Sequence, residues 1–527
     1  MQGTAVSESP DRPMTPEEKR VILASSLGTV FEWYDFYLAG SLAANISANF
    51  FSGVNPTAGF IFVLLGFAAG FAVRPFGALV FGRLGDLIGR KYTFLVTMTL
   101  MGIATFVIGI MPGYSSIGIL APIGFIICRL VQGLALGGEY GGAATYVAEH
   151  SPHGRRGLYT SWIQTTATVG LFASLIVILT LRLSMSPEDF ANWGWRIPFI
   201  VSVLLLIISI WIRLQLNESP AFQKMKAEGT LSKAPLGEAF GQWKNAKVAL
   251  IALLGGTAGQ AVVWYTGQFY ALFFLTQTMK VDGTTANLLI AGSLLLGTPF
   301  FIFFGWLSDK IGRKPILMAG CLIAAATYFP IFNMIAHTAN PKLMEAHEKV
   351  KVVVTADPAT CGNVFDPVNV RTFTVACDIA RRGLAASAIA YKLENGAAGS
   401  GTTVTVNGKA VVVDKDFAKN VAAAAVEAGY PKAADPTILK APSIGGVLSD
   451  GRALKIIGLL FILVIYVTMV YGPIAAMLVE LFPTRIRYTG MSLPYHIGNG
   501  WFGGFLPPTA FAIVAATGDI FAGLWYP

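Results

Sequence analysis

Charged residues and cysteines are both scarce in this chain. Only 13% of its 527 residues are Asp, Glu, Lys or Arg, whereas soluble domains average about 25%. Four cysteines in a chain of this length exclude a small secreted scaffold held together by disulfides. The sequence also lacks a cluster of metal ligands, a phosphate-binding loop and a paired nucleophile and base. These shortages argue against an enzyme and predict no bound cofactor or metal.

Long apolar stretches account for much of the chain. Apolar residues make up 54% of it, and the mean hydropathy is +0.61. A helix needs about 20 mostly apolar residues to cross a bilayer. The first 19 residues are polar and lack the order of a cleavable signal peptide, so we expect the first span to be retained. Eleven stretches qualify as membrane spans, numbered 1 to 11 in chain order: 21–45, 58–82, 92–111, 117–148, 157–182, 196–216, 246–276, 284–307, 315–336, 453–479 and 488–517.

Lysine and arginine concentrate in alternate connecting loops. The loops that follow spans 2, 4, 6, 8 and 10 are basic, while residues 46–57 and 112–116 contain neither residue type. Short loops rich in these residues stay in the cytoplasm. The net charge of +9 therefore reports orientation rather than nucleic-acid binding, and the pattern predicts a cytoplasmic N-terminus.

Two motifs occur twice, which indicates an internal duplication. Residues 82–91 read GRLGDLIGRK and residues 305–314 read GWLSDKIGRK, at an offset of 223. A Glu-x-x-Pro motif at 149–152 recurs at 480–483, at an offset of 331. The two offsets differ by 108 residues, and a polar stretch of that size lies at 338–452. The chain is therefore expected to be a duplicated six-helix unit with an insertion in its second half.

The duplication and the charge pattern together predict the domain organisation. A repeat that keeps its direction suggests two bundles related by an axis along the membrane normal. The offset places the partner of span 6 from about Leu524 onward. Either the protein has eleven spans or, as we expect, the native chain continues into a twelfth helix. The predicted segments are a cytoplasmic N-terminal segment at 1–20, an N-terminal six-helix bundle at 21–216, a cytoplasmic inter-bundle loop at 217–245, a C-terminal bundle at 246–337 and 453–527, and an extracytoplasmic insertion at 338–452.

The insertion is predicted to be a small α+β domain. Asn407-Gly408 lies between two β-rich runs, which is typical of a hairpin. Cys361 and Cys377 are expected to form a disulfide in an oxidising outer compartment. The role of this domain remains open: it could capture substrate, bind a partner protein or have no function of its own. The predicted elements are strands at 351–355 and 372–376, a hairpin at 403–413 and a helix at 416–429.

Three longer motifs accompany the duplicated loops. They are FEWYDFY at 31–37, RPFG at 74–77 and RLVQGLALGGEYGG at 129–142. With the loops at 82–91 and 305–314, they resemble the metabolite:proton symporter family of the major facilitator superfamily, whose members carry α-ketoglutarate, citrate, shikimate, proline and betaine. The resemblance implies two six-helix bundles in a bacterial cytoplasmic (inner) membrane. It also implies a small-molecule substrate, protons and the lipid bilayer as partners, no nucleic acid, and a proton gradient as the driving force.

Ionisable side chains within the predicted spans mark a transport pathway, because a charge inside a bilayer costs about 3 kcal/mol or more. Glu32 and Asp35 lie in span 1, and Arg129 and Glu139 lie in span 4. The helical rise places Asp35 about 22 Å and Arg129 about 30 Å from the cytoplasmic ends of their spans, so the two can meet. We assign all four to proton coupling. For Asp35 and Arg129 the assignment follows the resemblance, because similar Asp/Arg pairs occur in proton-coupled sugar porters of the superfamily. The alternative is a static ion pair that only fixes helix packing. The alternative for Glu32 is a hydrogen bond to a neighbouring helix.

Arginines in the spans are also candidates for substrate binding. A guanidinium offers two parallel hydrogen-bond donors to a carboxylate, which nominates Arg74 and Arg129. The alternative for Arg74 is a structural pair with Glu139 or Glu32. Further polar and aromatic residues are expected to line the cavity, although aromatic residues also suit the lipid interface. These residues are Tyr34, Gln164, Gln260, Tyr265 and Gln268.

The duplicated loops suggest a gate between the bundles, here called the latch. Gly82 allows close helix approach, and Asp86 can accept hydrogen bonds from the N-terminus of a facing helix. Arg90 belongs to the same loop, and the second copy supplies Asp309 and Arg313. We expect these residues to hold the bundles together on the cytoplasmic side. A simple anchor at anionic headgroups would explain the basic residues but not the repeated aspartate.

These features predict a proton-coupled secondary active transporter. The protein is expected to import a small organic anion, such as a mono- or dicarboxylate, by alternating access, because two intramembrane arginines favour a negative substrate. One alternative is a proton symporter for a zwitterion such as proline or betaine, since the aromatic residues Trp33, Tyr34 and Tyr37 could cage a quaternary ammonium. Another is a transporter-like membrane sensor, which would bind its ligand without flux.

Overall fold

Helices dominate the structure, a computed structural model that describes residues 14–53, 56–152, 154–362, 373–432 and 435–527. The chain divides into two compact units. Unit 1 comprises Met1–Ala261, Thr298–Cys321 and Val467–Gly504, and unit 2 comprises Val262–Gly297, Leu322–Tyr466 and Phe505–Pro527.

All eleven predicted spans are helical in the structure. Eight of them are also long and apolar enough to cross a membrane by length and composition, counted over the described residues. Spans 1 to 6 are Pro16–Ser41, Pro56–Leu87, Arg90–Ile110, Leu120–His150, Arg156–Gln164 with Thr166–Ser184, and Ile197–Leu214. Spans 7 to 11 are Trp243–Thr278, Gly283–Ile311, Arg313–Ala339, Gly451–Tyr471 with Ile474–Leu481, and Arg487–Ile497 with Leu506–Thr517. Shorter helices connect them at Ala43–Phe50, Tyr114–Ile117, Pro187–Asn192 and Pro220–Glu228.

Spans 7 and 11 depart from regular α-helix. Wider π-helical turns interrupt them at Leu253–Thr257, Thr266–Tyr270 and Phe274–Thr278 in span 7 and at Gly498–Gly503 in span 11. The Thr257 hydroxyl donates to the carbonyl oxygen of Pro494 in span 11 at 3.0 Å. Turns of this kind are rare and often occur at functional sites. The irregular backbone therefore makes spans 7 and 11 candidates for helices that change shape in the expected functional cycle.

Glycines bring spans 2 and 4 into direct backbone contact. A Cβ atom on Gly133 would meet the carbonyl oxygen of Gly70. A Cβ atom on Gly137 would meet the backbone of Arg74 and Ala78. Small residues allow this close approach in a membrane, where helix association depends on van der Waals packing. The contact fixes the height of Arg74 relative to span 4.

The insertion contains a four-stranded sheet, in the order Lys392–Asn395, Val352–Ala356, Thr403–Val406, Lys409–Val411. The first pair of strands is parallel, and the other two pairs are antiparallel. Four helices belong to the same region: Pro341–Lys349, Ala376–Ala386, Phe417–Ala428 and Ile444–Ser449. The predicted α+β character of the insertion is confirmed.

Three of the predicted elements of the insertion are confirmed. The strand expected at 351–355 is Val352–Ala356. In the hairpin, Asn407 and Gly408 have φ angles of 48° and 81°, as a two-residue type I′ turn requires. Helix Phe417–Ala428 ends at Gly429, whose φ of 118° lies in the left-handed region that glycine tolerates.

The strand predicted at 372–376 is wrong. Helix Ala376–Ala386 begins there, and residue 372 lies outside the described residues. Cys377, Ala380 and Leu384 are buried, at the spacing of one helix face. The short run before Ala376 has the composition of a strand, but the residues after it continue with the spacing of a helix.

The insertion is tied to the end of helix Leu506–Thr517. The last carbonyl groups of a helix have no partner within it. The Arg381 guanidinium donates to the Ala516 carbonyl oxygen at 3.1 Å. The Tyr391 backbone N–H donates to the Gly518 carbonyl oxygen at 3.1 Å, and the Tyr391 hydroxyl donates to the carbonyl oxygen of Ala515 at 2.5 Å. These bonds cap the helix and join the insertion to the rest of unit 2.

Gly137→Ala is expected to destabilise the protein, because the added methyl group would collide with the backbone of span 2. Overpacking of this kind costs about 1–3 kcal/mol, so the apparent melting temperature of purified protein in detergent should fall. Gly458→Ala is the matched control, because Gly458 also lies in a span and a Cβ atom there meets nothing within 4 Å. Equal melting temperatures for the two variants would contradict the role of this contact.

Candidate functional site

Asp35 and Arg129 form a buried ion pair in unit 1. Nη1 of Arg129 lies 3.1 Å from Oδ2 of Asp35, and both side chains are almost completely buried. The other carboxylate oxygen, Oδ1, accepts hydrogen bonds from the Thr105 hydroxyl at 3.0 Å and from the Gln132 amide at 3.1 Å. A buried charge is tolerated when its partners supply hydrogen bonds as well as opposite charge. Spans 1, 3 and 4 together provide this environment.

Gln132 completes the network from the helix that carries Arg129. It lies three residues further along span 4, so both side chains project from the same face. Its amide oxygen accepts from Nη1 of Arg129 at 2.9 Å, and its amide nitrogen also donates to the Thr105 hydroxyl at 2.8 Å. Gln132 and Thr105 were not among the predicted site residues. Their polar side chains within predicted spans were the available signal.

Glu32 and Arg74 line the same pocket as the Asp35–Arg129 pair. Nη1 of Arg74 lies 3.9 Å from Oε1 of Glu32, and the guanidinium carbon lies 4.4 Å from the ring centroid of Phe71. The pocket has a volume of about 30 Å³, enough to hold a water molecule. The structure thus brings together two acids and two arginines that the sequence nominated. In this conformation Arg74 lies beside Glu32, which is one of the two structural partners that the sequence predicted for it.

Glu139 does not line this pocket. It is fully buried, and neither of its carboxylate oxygens has a hydrogen-bond partner among the described residues. A Cβ atom on Gly28 of span 1 would meet both Oε1 of Glu139 and the guanidinium of Arg213. The gap that Gly28 leaves therefore holds a third acid and a third arginine inside unit 1.

Arg213 is a buried cation that the sequence analysis missed. It lies in the last turn of span 6, donates to the Ala24 carbonyl oxygen at 3.0 Å, and has its guanidinium carbon 3.5 Å from the ring centroid of Phe94. A basic residue near the end of a span usually reaches the membrane interface. The clue was its position inside the predicted span, four residues before the polar segment that begins at Asn217.

Two of the predicted cavity residues of unit 1 take part in other contacts. Tyr34 belongs to an apolar core, and its hydroxyl donates to the Pro198 carbonyl oxygen at 2.9 Å. The structure therefore does not bring Tyr34 to the Asp35 pocket. The Gln164 amide donates to the Tyr140 hydroxyl at 2.8 Å. The Tyr140 ring stacks on Tyr495, with centroids 3.7 Å apart.

Gln260 pairs with a side chain of span 11. Its amide and that of Asn499 exchange hydrogen bonds of 3.3 and 3.1 Å, and both side chains are buried. Tyr265 and Gln268 belong to unit 2. The ring of Tyr265 packs against Trp264, with centroids 5.0 Å apart. The amide of Gln268 is buried and has no hydrogen-bond partner among the described residues, so it is available to a ligand or water.

The two latch aspartates each bind the N-terminus of a helix. Asp86 accepts hydrogen bonds from the backbone N–H groups of Tyr488 and Thr489, at 3.3 and 2.8 Å. Asp309 accepts from the corresponding groups of Gly157 and Leu158, both at 2.8 Å. The first N–H groups of a helix lack partners within it, and the helix dipole favours a negative charge there. Adding the repeat offset of 331 to 157 and 158 gives 488 and 489, so the two contacts are equivalent.

Each latch aspartate is supported by an arginine and a glutamate. Arg90 lies 3.1 Å from Asp86 and 3.4 Å from Glu149, measured between nitrogen and oxygen. Arg313 lies 2.6 Å from Asp309 and 3.0 Å from Glu480. The two glutamates are equivalent in the duplication and were not among the predicted latch residues. Near Asp86, a Cβ atom on Gly82 would touch the backbone of Thr489. All five predicted latch residues thus lie in the two contacts.

The two cysteines of the insertion are joined in unit 2. Cys361 and Cys377 form a disulfide, with their Cα atoms 5.2 Å apart. Residues 363–372 between them lie outside the described part of the chain. Cys377 opens helix Ala376–Ala386, so the bond fixes the start of that helix.

Known proteins match the chain over most of its length. A family model described as "Sugar (and other) transporter" matches residues 21–356. The shikimate transporter of Escherichia coli (strain K12) is 35% identical over 340 residues, which are 63% of this chain and 76% of the relative. The alpha-ketoglutarate permease of the same strain is 33% identical over 335 residues, again 63% and 76%. The proline/betaine transporter of Salmonella typhimurium is 34% identical over 329 residues, 60% of this chain and 65% of the relative.

Solved structures show the fold. The proton:xylose symporter XylE of the major facilitator superfamily, bound to 6-bromo-6-deoxy-D-glucose, superposes with a TM-score of 0.57 at 14% identity. The match covers 97% of this chain and 93% of that one. A partially occluded inward-open form of XylE from E. coli gives a TM-score of 0.54. The predicted fold class, a helical membrane protein of the major facilitator type with a small α+β insertion, is confirmed. The expected twelfth helix stays a prediction.

Asp86→Asn is expected to weaken the latch, because an amide is a poorer acceptor for two backbone N–H groups than a carboxylate. The readout is thiol labelling of Ser492→Cys, in a variant whose Cys128 and Cys321 are replaced by alanine, with a membrane-impermeant maleimide. Ser492 is buried against span 4, so labelling requires the latch to open. Labelling should rise at least about fivefold, since a lost charge-assisted hydrogen bond is worth about 1–3 kcal/mol. Glu228→Gln, at an exposed site, is the control and should change nothing; equal labelling in both would refute the latch.

Proposed function

Because the chain belongs to the sugar (and other) transporter family of the major facilitator superfamily, we propose that it is a proton-coupled symporter that imports a small organic anion by alternating access. Family membership establishes a membrane transporter of small molecules and not an enzyme. The finer proposal has one main support, the Asp35–Arg129 pair in a pocket that also contains Glu32 and Arg74. The proposed driving force is a proton gradient.

The pair offers a direct way to couple a proton to an anion. While Asp35 is ionised, it neutralises Arg129 and competes with any other anion for that guanidinium. A proton on Asp35 removes this competitor, and Arg129 can then bind a substrate carboxylate through its parallel donors. By linkage, an anion on Arg129 favours a proton on Asp35 to the same extent. Proton and anion therefore bind together. Symport requires this, because both must cross the membrane in the same direction on one carrier.

The charge balance of the pocket supports an anionic substrate. Glu32, Asp35, Arg74 and Arg129 sum to zero when all four are ionised. One added proton leaves a single positive charge, which one carboxylate of the substrate would offset. Arg74 is 3.9 Å from Glu32, longer than a hydrogen bond, so it can also turn toward a second carboxylate. A mono- or dicarboxylate fits this arrangement, and relatives named for shikimate and alpha-ketoglutarate transport agree with it.

A zwitterionic substrate is the second candidate. Glu32 and Asp35 share the pocket with the rings of Phe36 and Phe71, and acids with aromatic rings can hold a cationic group. A relative named for proline/betaine transport motivates the comparison.

Alternating access requires a contact that closes one side at a time. The latch contacts of Asp86 and Asp309 are made in this structure, at the end of unit 1 that carries the basic loops. We propose that this end faces the cytoplasm of a bacterial cell, as its lysine and arginine content favours. The structure would then represent a state that is closed toward the cytoplasm.

Asp35→Asn is expected to abolish accumulation of substrate driven by a pH gradient and to preserve exchange of substrate across the membrane. An amide cannot carry the proton, but it leaves Arg129 available to an anion. The measurement is uptake of radiolabelled shikimate or alpha-ketoglutarate into proteoliposomes, acidic outside, compared with counterflow at equal pH. Glu228→Gln serves as the control for removal of an acid from an exposed site.

Several outcomes would contradict the proposal. Full uphill accumulation by Asp35→Asn would reject its role as the proton carrier. Flux that ignores the pH gradient in the unmodified protein would reject symport. Ligand binding without any flux would favour the membrane sensor instead.

Arg74→Gln is expected to separate the two substrate classes. It should raise the KM for a dicarboxylate about tenfold, because one charge-assisted hydrogen-bonding partner is lost. It should leave betaine uptake unchanged or improved, because Glu32 would then lack its cationic neighbour. The measurement compares initial uptake rates of alpha-ketoglutarate and betaine over a range of concentrations. If the unmodified protein transports betaine better than alpha-ketoglutarate, the substrate is a zwitterion and the proposed organic anion is rejected.

A further inference from the structure

A second cavity lies entirely within unit 2, where the insertion meets the ends of spans 7 and 11. Its volume is about 310 Å³, and small-molecule sites start at about 300 Å³. It is far larger than the pocket of about 30 Å³ beside Asp35. Small side chains leave this space, because five positions in the wall are alanines: Ala385, Ala386, Ala388, Ala512 and Ala515.

The wall of this cavity combines one cation with neutral polar and apolar groups. Arg382 from the insertion brings a permanent positive charge. Its guanidinium carbon lies 4.7 Å from the ring centroid of Phe373. Gln277 and Thr278, at the end of span 7, add hydrogen-bonding side chains, and Phe511 of span 11 adds apolar surface. A cation beside polar and apolar groups suits a small organic carboxylate, whose charged group would meet Arg382 and whose hydrocarbon part would meet the apolar wall.

The helix that carries Arg382 is held in place from both ends. The disulfide of Cys377 fixes its start. Arg381, next to Arg382, binds the Ala516 carbonyl oxygen at 3.1 Å. At the far end, Nζ of Lys280 donates to the Ala386 carbonyl oxygen at 2.8 Å. A cavity with fixed walls loses little entropy when a ligand binds.

The charges next to the cavity also favour an anion. Lys280 approaches from the end of span 7 and brings a second basic side chain to the wall residue Ala386. Asp519 follows the wall residue Gly518, and its carboxylate accepts the backbone N–H of Phe521 at 2.8 Å. The nearby acid is thus engaged in a local turn.

We propose that this cavity is an outer capture site, where a small organic carboxylate binds to Arg382 before it enters the transport pathway. The inference rests on the proposed function, because it assumes the same substrate class and the same orientation of the chain. The proposal also gives a function to the insertion, which has no counterpart in the first six-helix repeat. A positively charged site raises the local concentration of an anionic substrate and therefore its rate of capture.

The test compares two variants of the full-length protein that lose the same charge. Arg382→Gln removes the cation from the cavity wall. Lys392→Gln removes a cation from an exposed position of the insertion, where the side chain is 76% accessible and pairs with Glu394. Arg382→Gln should raise the KM for alpha-ketoglutarate and shikimate uptake about tenfold with the maximum rate unchanged. Lys392→Gln should stay within about 1.5-fold of the unmodified protein, since an exposed ion pair contributes little. Equal KM values for the two variants would overturn the proposal.

Thermal stabilisation by alpha-ketoglutarate in detergent separates this proposal from the proposed function, because it needs no transport. Arg129→Gln, which alters the central pocket, should keep a stabilisation that disappears in the double variant Arg129→Gln with Arg382→Gln. Absence of stabilisation in Arg129→Gln would overturn the capture site. Stabilisation that depends on Arg382 in a protein without proton-driven flux would uphold the anion site and reject the proposed function.

Discussion

A carboxylate inside a membrane protein needs partners within the protein, because lipid supplies neither hydrogen bonds nor opposite charge. Asp35 meets this constraint with three side chains, from Arg129, Thr105 and Gln132. Glu139 has no hydrogen bond to its carboxylate among the described residues and shares the gap at Gly28 with a buried arginine. The same bundle thus holds one acid with three hydrogen-bonding side chains and one acid with none among the described residues. Removal of a partner from Asp35 would expose its charge to a medium of low dielectric constant, so any rearrangement there must be compensated by a proton or another ligand.

The duplication explains the geometry of the latch. Each aspartate comes from a loop that follows the second helix of a repeat, and each binds the N-terminus of the fifth helix of the other repeat. A pair of equivalent contacts arises automatically when two similar bundles associate around a pseudo-twofold axis. Arg90 and Arg313 then keep the aspartates oriented, and Glu149 and Glu480 neutralise the arginines. The repeated Asp is therefore explained by helix N-terminal hydrogen bonding, which a positive anchor at lipid headgroups does not require.

Much of the fold and part of the site could be predicted from the sequence. Hydropathy located the spans, because it depends only on the residues within each stretch. The helical rise placed Asp35 and Arg129 at heights where they meet, because height along a helix depends only on the number of residues. Which face of a helix a side chain occupies depends on its neighbours, so Tyr34, adjacent to Asp35 but rotated by about 100°, turned out to pack in the core. Arg213 was missed because its burial depends on contacts with residues almost 190 positions away. The strand expected at 372–376 failed because a short apolar run does not distinguish a strand from the first turn of a helix.

The two halves of the latch differ in their access to water. Asp86, Arg90 and Glu149 are completely shielded, whereas 35% of the Glu480 side chain is accessible. Dissolved ions and water can screen the second cluster but not the first. The two contacts therefore differ in electrostatic strength although their sequences are duplicated. We infer that the contact of Asp309, whose supporting Glu480 reaches water, separates more readily than the contact of Asp86.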